Sequence, residues 1–301
     1  MTKIEIIEVG PRDGLQNQDA LLSTADKLTL IRKLVAAGAR RMEVASFVNP
    51  KRVPQMADAE AVTAGLPDAA GTEFIGLVLN ERGGERAVAS GIAELGVVAV
   101  ATDTFAMRNQ KQTSAESVEV SRAVIRMAKA AGRRAQATIA VAFGCPFEGE
   151  VPLSRVVAMA RAIAEAGPHE IAIADTIGVG VPAQVKAMLA ALHAEIPGMP
   201  LRCHFHNTRN TGIANAMAAV ESGVTRLDAS VGGIGGCPFA PAATGNIATE
   251  DLVYMLERSG FQTGYSLEAL SAMVPWLAER LNLDRLPAMV SRVPVFPAQV
   301  A

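Results

Sequence analysis

His204-Phe205-His206 is the tightest chemical pattern in the chain, and it uses two of the four histidines present. On a β-strand, residues i and i+2 point to the same face. The two imidazoles would therefore stand side by side, with Cys203 and Phe205 turned the other way toward an apolar layer. Such a pair suits a divalent cation, which needs at least one oxygen donor beside it. Asp13, expected on the neighbouring strand of a closed barrel, offers a carboxylate, and Asn246 offers a neutral oxygen from the other side. Together with His204 and His206 these leave room for substrate oxygens on an octahedral ion. The mixed nitrogen and oxygen donors suit Mg²⁺ or Mn²⁺, with Zn²⁺ and Co²⁺ as further candidates.

Other residues gather around that pattern. Arg12 precedes Asp13 in Gly-Pro-Arg-Asp-Gly-Leu-Gln, a stretch that Pro and Gly mark as a turn. A guanidinium beside a metal-binding carboxylate could also hold a developing oxyanion. Glu43 alternates with Met42 and Val44 in an apolar run. A carboxylate inside a barrel is costly unless paired, and either Arg12 or a bound water could pair with it. Residues 231–246 hold five glycines and two prolines around Cys237. Such a stretch is either a long turn or a lid that excludes water, with the thiol as an acid/base group. Glu250 follows in Thr-Glu-Asp, where a carboxylate commonly serves a helix dipole.

These residues need a scaffold that brings 12, 43, 204 and 246 together. Short apolar runs at 4–9, 40–45, 73–79, 96–101, 135–142, 169–174, 201–206 and 225–230 read as eight strands. Amphipathic stretches lie between them, at 24–37, 114–131, 154–166, 182–195 and 210–222, several stopping at a glycine such as Gly38, Gly132, Gly167 or Gly223. Strands separated by helices imply a parallel sheet, and eight such units favour a TIM (β/α)8 barrel over an open doubly wound sheet. No Gly-x-Gly-x-x-Gly follows the first strand, against a dinucleotide-binding sheet. In a barrel, function gathers where strands end and loops lead to helices. Arg12-Asp13, Ser46, Asp175-Thr176, His204, His206 and the 231–246 loop all fall there. A single catalytic domain, 1–301, is expected: a barrel over about 4–260 and a helical C-terminal extension over about 264–301 that caps the barrel or joins a subunit interface.

Composition excludes several classes. A net charge of −2 gives no footprint for nucleic acid or membrane surfaces, so an anionic substrate must be met by local cations. Three widely spaced cysteines form neither a CxxC pair nor a disulfide framework. The opening Met1-Thr2-Lys3 leads straight into Ile4-Glu5-Ile6, unlike a targeting segment, and a cytoplasmic protein is expected.

Longer stretches carry a resemblance. Val-Gly-Pro-Arg-Asp-Gly-Leu-Gln-Asn (9–17), Ser-Phe-Val-Asn-Pro-Lys (46–51), Val-Pro-Gln-Met (53–56), Gly-Cys-Pro-Phe-Glu-Gly (144–149), Asp-Thr-Ile-Gly-Val-Gly (175–180), Gly-Gly-Cys-Pro (235–238) and the run from Gly245 to Leu256 resemble the hydroxymethylglutaryl-CoA lyases, within the wider group of metal-dependent barrels that includes isopropylmalate and homocitrate synthases. The resemblance implies that Asp13, His204, His206 and Asn246 bind the metal. It implies that Arg12 steadies an enolate oxygen and that Cys237 is a mobile-loop acid/base. Glu43, Asp175 and Glu250 would support the metal and the proton transfers. Gln16 and Ser46 would lie near the substrate, and Asn109 near the acyl-CoA. The implied reaction is retro-Claisen cleavage of an acyl-CoA to acetyl-CoA and acetoacetate, by a homodimer.

The chain departs from the family pattern at Asn207-Thr208-Arg209-Asn210, where Asp-Thr-Tyr-Gly is common, and at Gln18-Asp19, where many lyases carry a lysine. These departures leave open a related 3-hydroxyacyl-CoA. Two rivals differ in kind: a condensing acyltransferase, and an inactive barrel serving as an interaction module. The short C-terminal segment and Gly-Gly-Cys-Pro argue against the first, and the full set of ligands against the second.

Overall fold

The structure is a computed structural model that describes residues 2–236, 245–294 and 296. Barrel strands β1 (Glu5–Glu8), β2 (Arg41–Ser46), β3 (Glu73–Val78), β4 (Glu94–Val100) and β5 (Arg134–Ala140) are followed by a small hairpin, β6 (Gly144–Cys145) and β7 (Gly149–Glu150). Strands β8 (Ile171–Asp175), β9 (Leu201–Phe205) and β10 (Arg226–Ala229) complete the set. All barrel pairings are parallel, and the order β1-β10-β9-β8-β5-β4-β3-β2 closes on itself. The eight expected strands are all present, their ends displaced by at most two residues. β2, β8 and β9 are buried along their whole length, as parallel strands covered on both faces must be.

The outer layer is α1 (Thr24–Ala36), α2 (Ala59–Ala64), α3 (Glu81–Ser90), α4 (Asp103–Gln110), α5 (Ser114–Ala130), α6 (Leu153–Ala164), α7 (Pro182–Glu195), α8 (Gly212–Glu221), α9 (Thr249–Arg258) and α10 (Leu267–Arg280). Local chemistry sets their ends. Ser23 Oγ accepts the Asp26 N–H, and Thr113 with Glu116 forms a capping box at the start of α5. The four stop glycines hold positive φ, 110° at Gly38, 68° at Gly132, 70° at Gly167 and 92° at Gly223.

Two expectations need correction. Helices α2, α3 and α4 did not emerge from the periodicity: α2 and α4 are short, and α3 carries Gly83-Gly84, poor helix formers in an open segment. Gly83 is there for packing, since a Cβ would meet the Phe47 carbonyl oxygen at 2.8 Å. The C-terminal extension is also less helical than expected. After α10 the described residues contain only a 3₁₀ turn, Val290–Arg292, because Asn282 turns left-handed (φ 55°) and Pro287 cannot continue a helix. α10 packs on α1 and α9, and Tyr265 Oη donates to Ile6 O at 3.2 Å.

The barrel interior is closed at its N-terminal end by charge. Arg41, 1% exposed, donates through Nη2 to Glu170 Oε1 at 2.7 Å and through Nε to Glu94 Oε2 at 3.1 Å. Arg226 Nη1 reaches the other Glu170 oxygen at 3.2 Å. Above this layer the interior opens into a pocket at the C-terminal ends of the strands.

Candidate active site

β1 runs into a π-helical turn, Gly10–Gly14, that carries Arg12 and Asp13. The turn is tightly seated. A Cβ on Gly10 would sit 2.6 Å from Glu8 Oε1, and one on Gly14 would sit 2.7 Å from Ile234. Glu8, fully buried, fastens three segments: Oε1 accepts the N–H groups of Gly10 (2.7 Å) and Val231 (2.9 Å), and Oε2 accepts the Thr249 hydroxyl (2.7 Å). Burial raises its pKa to about 7 in spite of those bonds.

Arg12 donates through Nη1 to Asp13 Oδ1 and through Nη2 to Glu43 Oε2, both at 2.6 Å. The expected pairing of Glu43 with Arg12 is therefore realised. The other Glu43 oxygen is buried without a hydrogen-bond partner.

His204 and His206 share the inner face of β9, with ring centroids 5.1 Å apart. His204 Nδ1 donates to Asp228 Oδ2 at 3.1 Å, and His206 Nε2 lies 3.9 Å from Asp13 Oδ2. Asn246 bridges to His206, and its Nδ2 donates to Asp13 Oδ2 at 2.8 Å. One ligand atom from each of Asp13, His204 and His206 falls within 4.8 Å of the others, a group that could hold a metal ion. Asn246 Oδ1 and His206 Nδ1 are buried without hydrogen-bond partners. A buried acceptor without a partner beside a carboxylate leaves a lone pair free for a cation, so these residues fit a divalent ion.

The electrostatics agree. Burial pushes the Asp13 carboxyl up, but the Arg12 guanidinium above all, with His204 and the Asn246 bond, outweighs it and keeps Asp13 ionised. Burial and the neighbouring His204 lower His206 to about 4, which leaves a neutral imidazole with a lone pair to give.

Arg12, Asp13, Gln16, Glu43, Asn109, His204 and His206 line one pocket, with Asn246 touching Asp13 at its edge. Three other candidates are not among the residues that line this pocket. Asp175 ends β8 and accepts the N–H groups of Val179 and Gly180, both at 2.9 Å; its neighbour Thr176 faces the pocket instead. Ser46 is fully buried, with its hydroxyl unpaired. Glu250 accepts the Gly232 N–H with both oxygens (2.9 and 3.0 Å), and burial raises its pKa to about 8. It steadies the start of the glycine-rich loop in addition to opening α9. Cys237 lies outside the described residues. Cys203 faces away from the pocket as expected, and burial pushes its thiol up, which makes it inert.

Asp13 does not come from the strand next to the histidines: β10 stands between β1 and β9. That strand supplies Asp228, and β9 itself supplies Arg202; both line the pocket and neither was singled out in the sequence. The alternation that exposed His204 and His206 also places Arg202 on the inner face, and it was the available signal. Thr138 completes the polar wall. Val141, a β-branched residue at φ 51°, donates its N–H to Thr176 Oγ1 at 2.8 Å, so backbone strain is stored at this wall.

Comparison with known proteins places the chain in a family. The HMGL-like family model matches residues 3–274. A hydroxymethylglutaryl-CoA lyase of Bacillus subtilis is 41% identical over 93% of this chain and 94% of its own. An (R)-citramalyl-CoA lyase of Chloroflexus aurantiacus is 44% identical over 100% of this chain and 98% of its own. The solved structure of an HMG-CoA lyase from Acinetobacter baumannii, in complex with coenzyme A and 3-methylmalate, superposes with a TM-score of 0.94 at 36% identity, covering 99% of this chain and 97% of that one.

Proposed function

The chain belongs to the HMGL-like family of carbon–carbon lyases, and from that premise we propose that it cleaves 3-hydroxy-3-methylglutaryl-CoA to acetyl-CoA and acetoacetate. The observation that carries this reading is the convergence of Arg12, Asp13, Glu43, His204 and His206 on one pocket at the C-terminal end of the barrel.

The family's lyases are metal-dependent. Asp13, His204, His206 and Asn246 would hold the ion, Mg²⁺ or Mn²⁺ by their donor types, and when bound it supplies Lewis acidity that eases deprotonation of a substrate hydroxyl. The protein's own groups divide the remaining work. Glu43, with one oxygen on Arg12 and the other unpaired, would accept the tertiary hydroxyl proton. As the O–H electrons form the new carbonyl, the carbon–carbon bond breaks and its electrons pass to the thioester as an enolate. Arg12 meets that charge with a guanidinium already fixed by two carboxylates, so little reorganisation is needed. A proton returned to the enolate carbon, for which Cys237 is the acid we assign, releases acetyl-CoA.

Gln16 and Asn109, on the pocket wall, would flank the thioester end of the acyl-CoA. Asp175 and Glu250 would act by shaping the wall, since their contacts are with backbone N–H groups, and Ser46, whose buried hydroxyl has no hydrogen-bond partner, would lie near the substrate. No helix among the described residues is long and apolar enough to cross a membrane. A cytoplasmic homodimer completes the reading.

A second reading is carried by the citramalyl-CoA lyase relative and by Asn207-Thr208-Arg209 beside the site: cleavage of a 3-hydroxyacyl-CoA with a shorter branch. Products separate the two. Incubated with each thioester and Mn²⁺, the purified chain is expected to release acetoacetate from 3-hydroxy-3-methylglutaryl-CoA at the higher kcat/KM. Preferential release of pyruvate from citramalyl-CoA would transfer the assignment to the second reading.

A further inference from the structure

Alternation along β9 puts residues 202, 204 and 206 on the inner face and turns Cys203 and Phe205 toward the helices. Arg202 thus stands directly beneath the histidine pair, only 3% exposed. Its Nη1 lies 3.3 Å from Asp228 Oδ1 and its Nε lies 3.3 Å from Glu170 Oε1, ion-pair contacts made off the hydrogen-bonding direction, since Arg202 Nε and Asp228 Oδ1 have no hydrogen-bond partner. The opposite oxygen of Asp228 receives the Nδ1 proton of His204 at 3.1 Å. The result is a buried chain, Glu170–Arg202–Asp228–His204, that joins the ionic layer at the N-terminal end of the barrel to the site at its C-terminal end.

Three interior carboxylates face this pocket: Asp13, Glu43 and Asp228. Arg12 takes the first two at 2.6 Å each. Asp228 pairs instead with Arg202. The two histidines also differ: His204 Nδ1 has a carboxylate behind it, whereas His206 Nδ1 is buried without a partner. A histidine that gives one nitrogen to a metal generally donates its other N–H to such an outer group, which fixes the tautomer and the ring plane.

We propose that Arg202 is a positioning residue: braced by Glu170, it orients Asp228, and through Asp228 it fixes the ring of His204 with Nε2 toward the ion. The inference rests on the reading of His204 as a metal ligand. Because Arg202 also lines the pocket, direct contact with substrate is the competing role that the test must separate.

The test is calorimetric titration of Mn²⁺ into the full chain after chelator treatment, comparing wild type, Arg202→Gln, Arg202→Lys, Asp228→Asn and the Arg202→Gln/Asp228→Asn double variant. Circular dichroism would check that each is folded, and steady-state kinetics would accompany the titrations. Loss of Arg202 is expected to weaken Mn²⁺ binding by about 10- to 100-fold, the range for removal of an outer-shell partner. Lysine keeps the charge without the two-way fork, so its loss should be smaller. The double variant should bind no more weakly than Asp228→Asn alone, since both changes cut the same chain. Kinetically, kcat should fall with KM little changed. Unaltered Mn²⁺ affinity with a raised KM would overturn the proposal and make Arg202 a substrate contact. Additive losses in the double variant would also overturn it. Wild type that binds Mn²⁺ no better than His204→Ala would bring down the reading of the centre itself, and this inference with it.

Discussion

Arg12 divides one guanidinium between Asp13 and Glu43, and both bonds are short and partly buried. An amide cannot replace that arrangement. Arg12→Gln should lower kcat by about 10²- to 10³-fold, the range for removing a donor to a developing oxyanion, and lower kcat/KM in proportion. Stopped assays with saturating thioester would check this; a rise in KM alone would mean that Arg12 serves ground-state binding. At this scale the sequence was legible where residues repeat a pattern. His204 and His206 announce themselves by spacing, and Asp13 by its place in Gly-Pro-Arg-Asp-Gly. Asp228 and Arg202 are single residues in ordinary strands, and only their cross-barrel contacts reveal a role. Asp175 was drawn in by its place at a strand end and Glu250 by resemblance, whereas their side chains engage backbone N–H groups.

Elements deliver these residues by their ends. The π-helical turn after β1, the inner face of β9 and the segment at Asn246 meet because Glu8 and Glu250 tie the 231–234 stretch to β1 and α9. Burial raises the Glu250 pKa from an ordinary 4.5 to about 8. A carboxyl raised in this way contributes stability that is complete below its unfolded pKa and is lost as pH rises through its folded value. Thermal stability of the wild type should therefore fall as pH rises from about 4.5 to about 8, with Glu8, raised to about 7, contributing to the lower part of that fall. Glu250→Gln keeps an uncharged acceptor for the Gly232 N–H and should flatten that fall. Equal slopes in differential scanning fluorimetry would show that Glu250 titrates as an exposed group. Strands were readable because parallel strands are short, continuous apolar runs; the π-helical turn was not, because Pro11 and Gly14 signal any turn equally well. Helices α2 to α4 were missed because their glycines and short lengths give little period to read.

The whole molecule is a barrel with its two ends put to different uses. Charge is spent at the N-terminal end on closure, through Arg41, Glu94 and Glu170, and at the C-terminal end on a site. Arg41→Met would leave buried Glu94 without its hydrogen-bonded cation, while Glu170 keeps Arg202 and Arg226, and destabilisation of about 3–5 kcal/mol is expected, measured by urea unfolding. A change under about 1 kcal/mol would mean that water or Arg226 replaces Arg41 there. Closure of the sheet was foreseeable from eight alternating units, but the ionic plug was not, since its members are scattered from Arg41 to Arg226. At the C-terminal end, the function we propose needs an ion held by Asp13, His204, His206 and Asn246 to cleave 3-hydroxy-3-methylglutaryl-CoA. The most direct test measures acetoacetate release by the full chain before chelation, after it, and after Mn²⁺ or Mg²⁺ is returned, with His206→Ala alongside. Release should vanish on chelation, return with the metal, and stay absent in His206→Ala. Undiminished release by the chelated protein or by His206→Ala would contradict the claim.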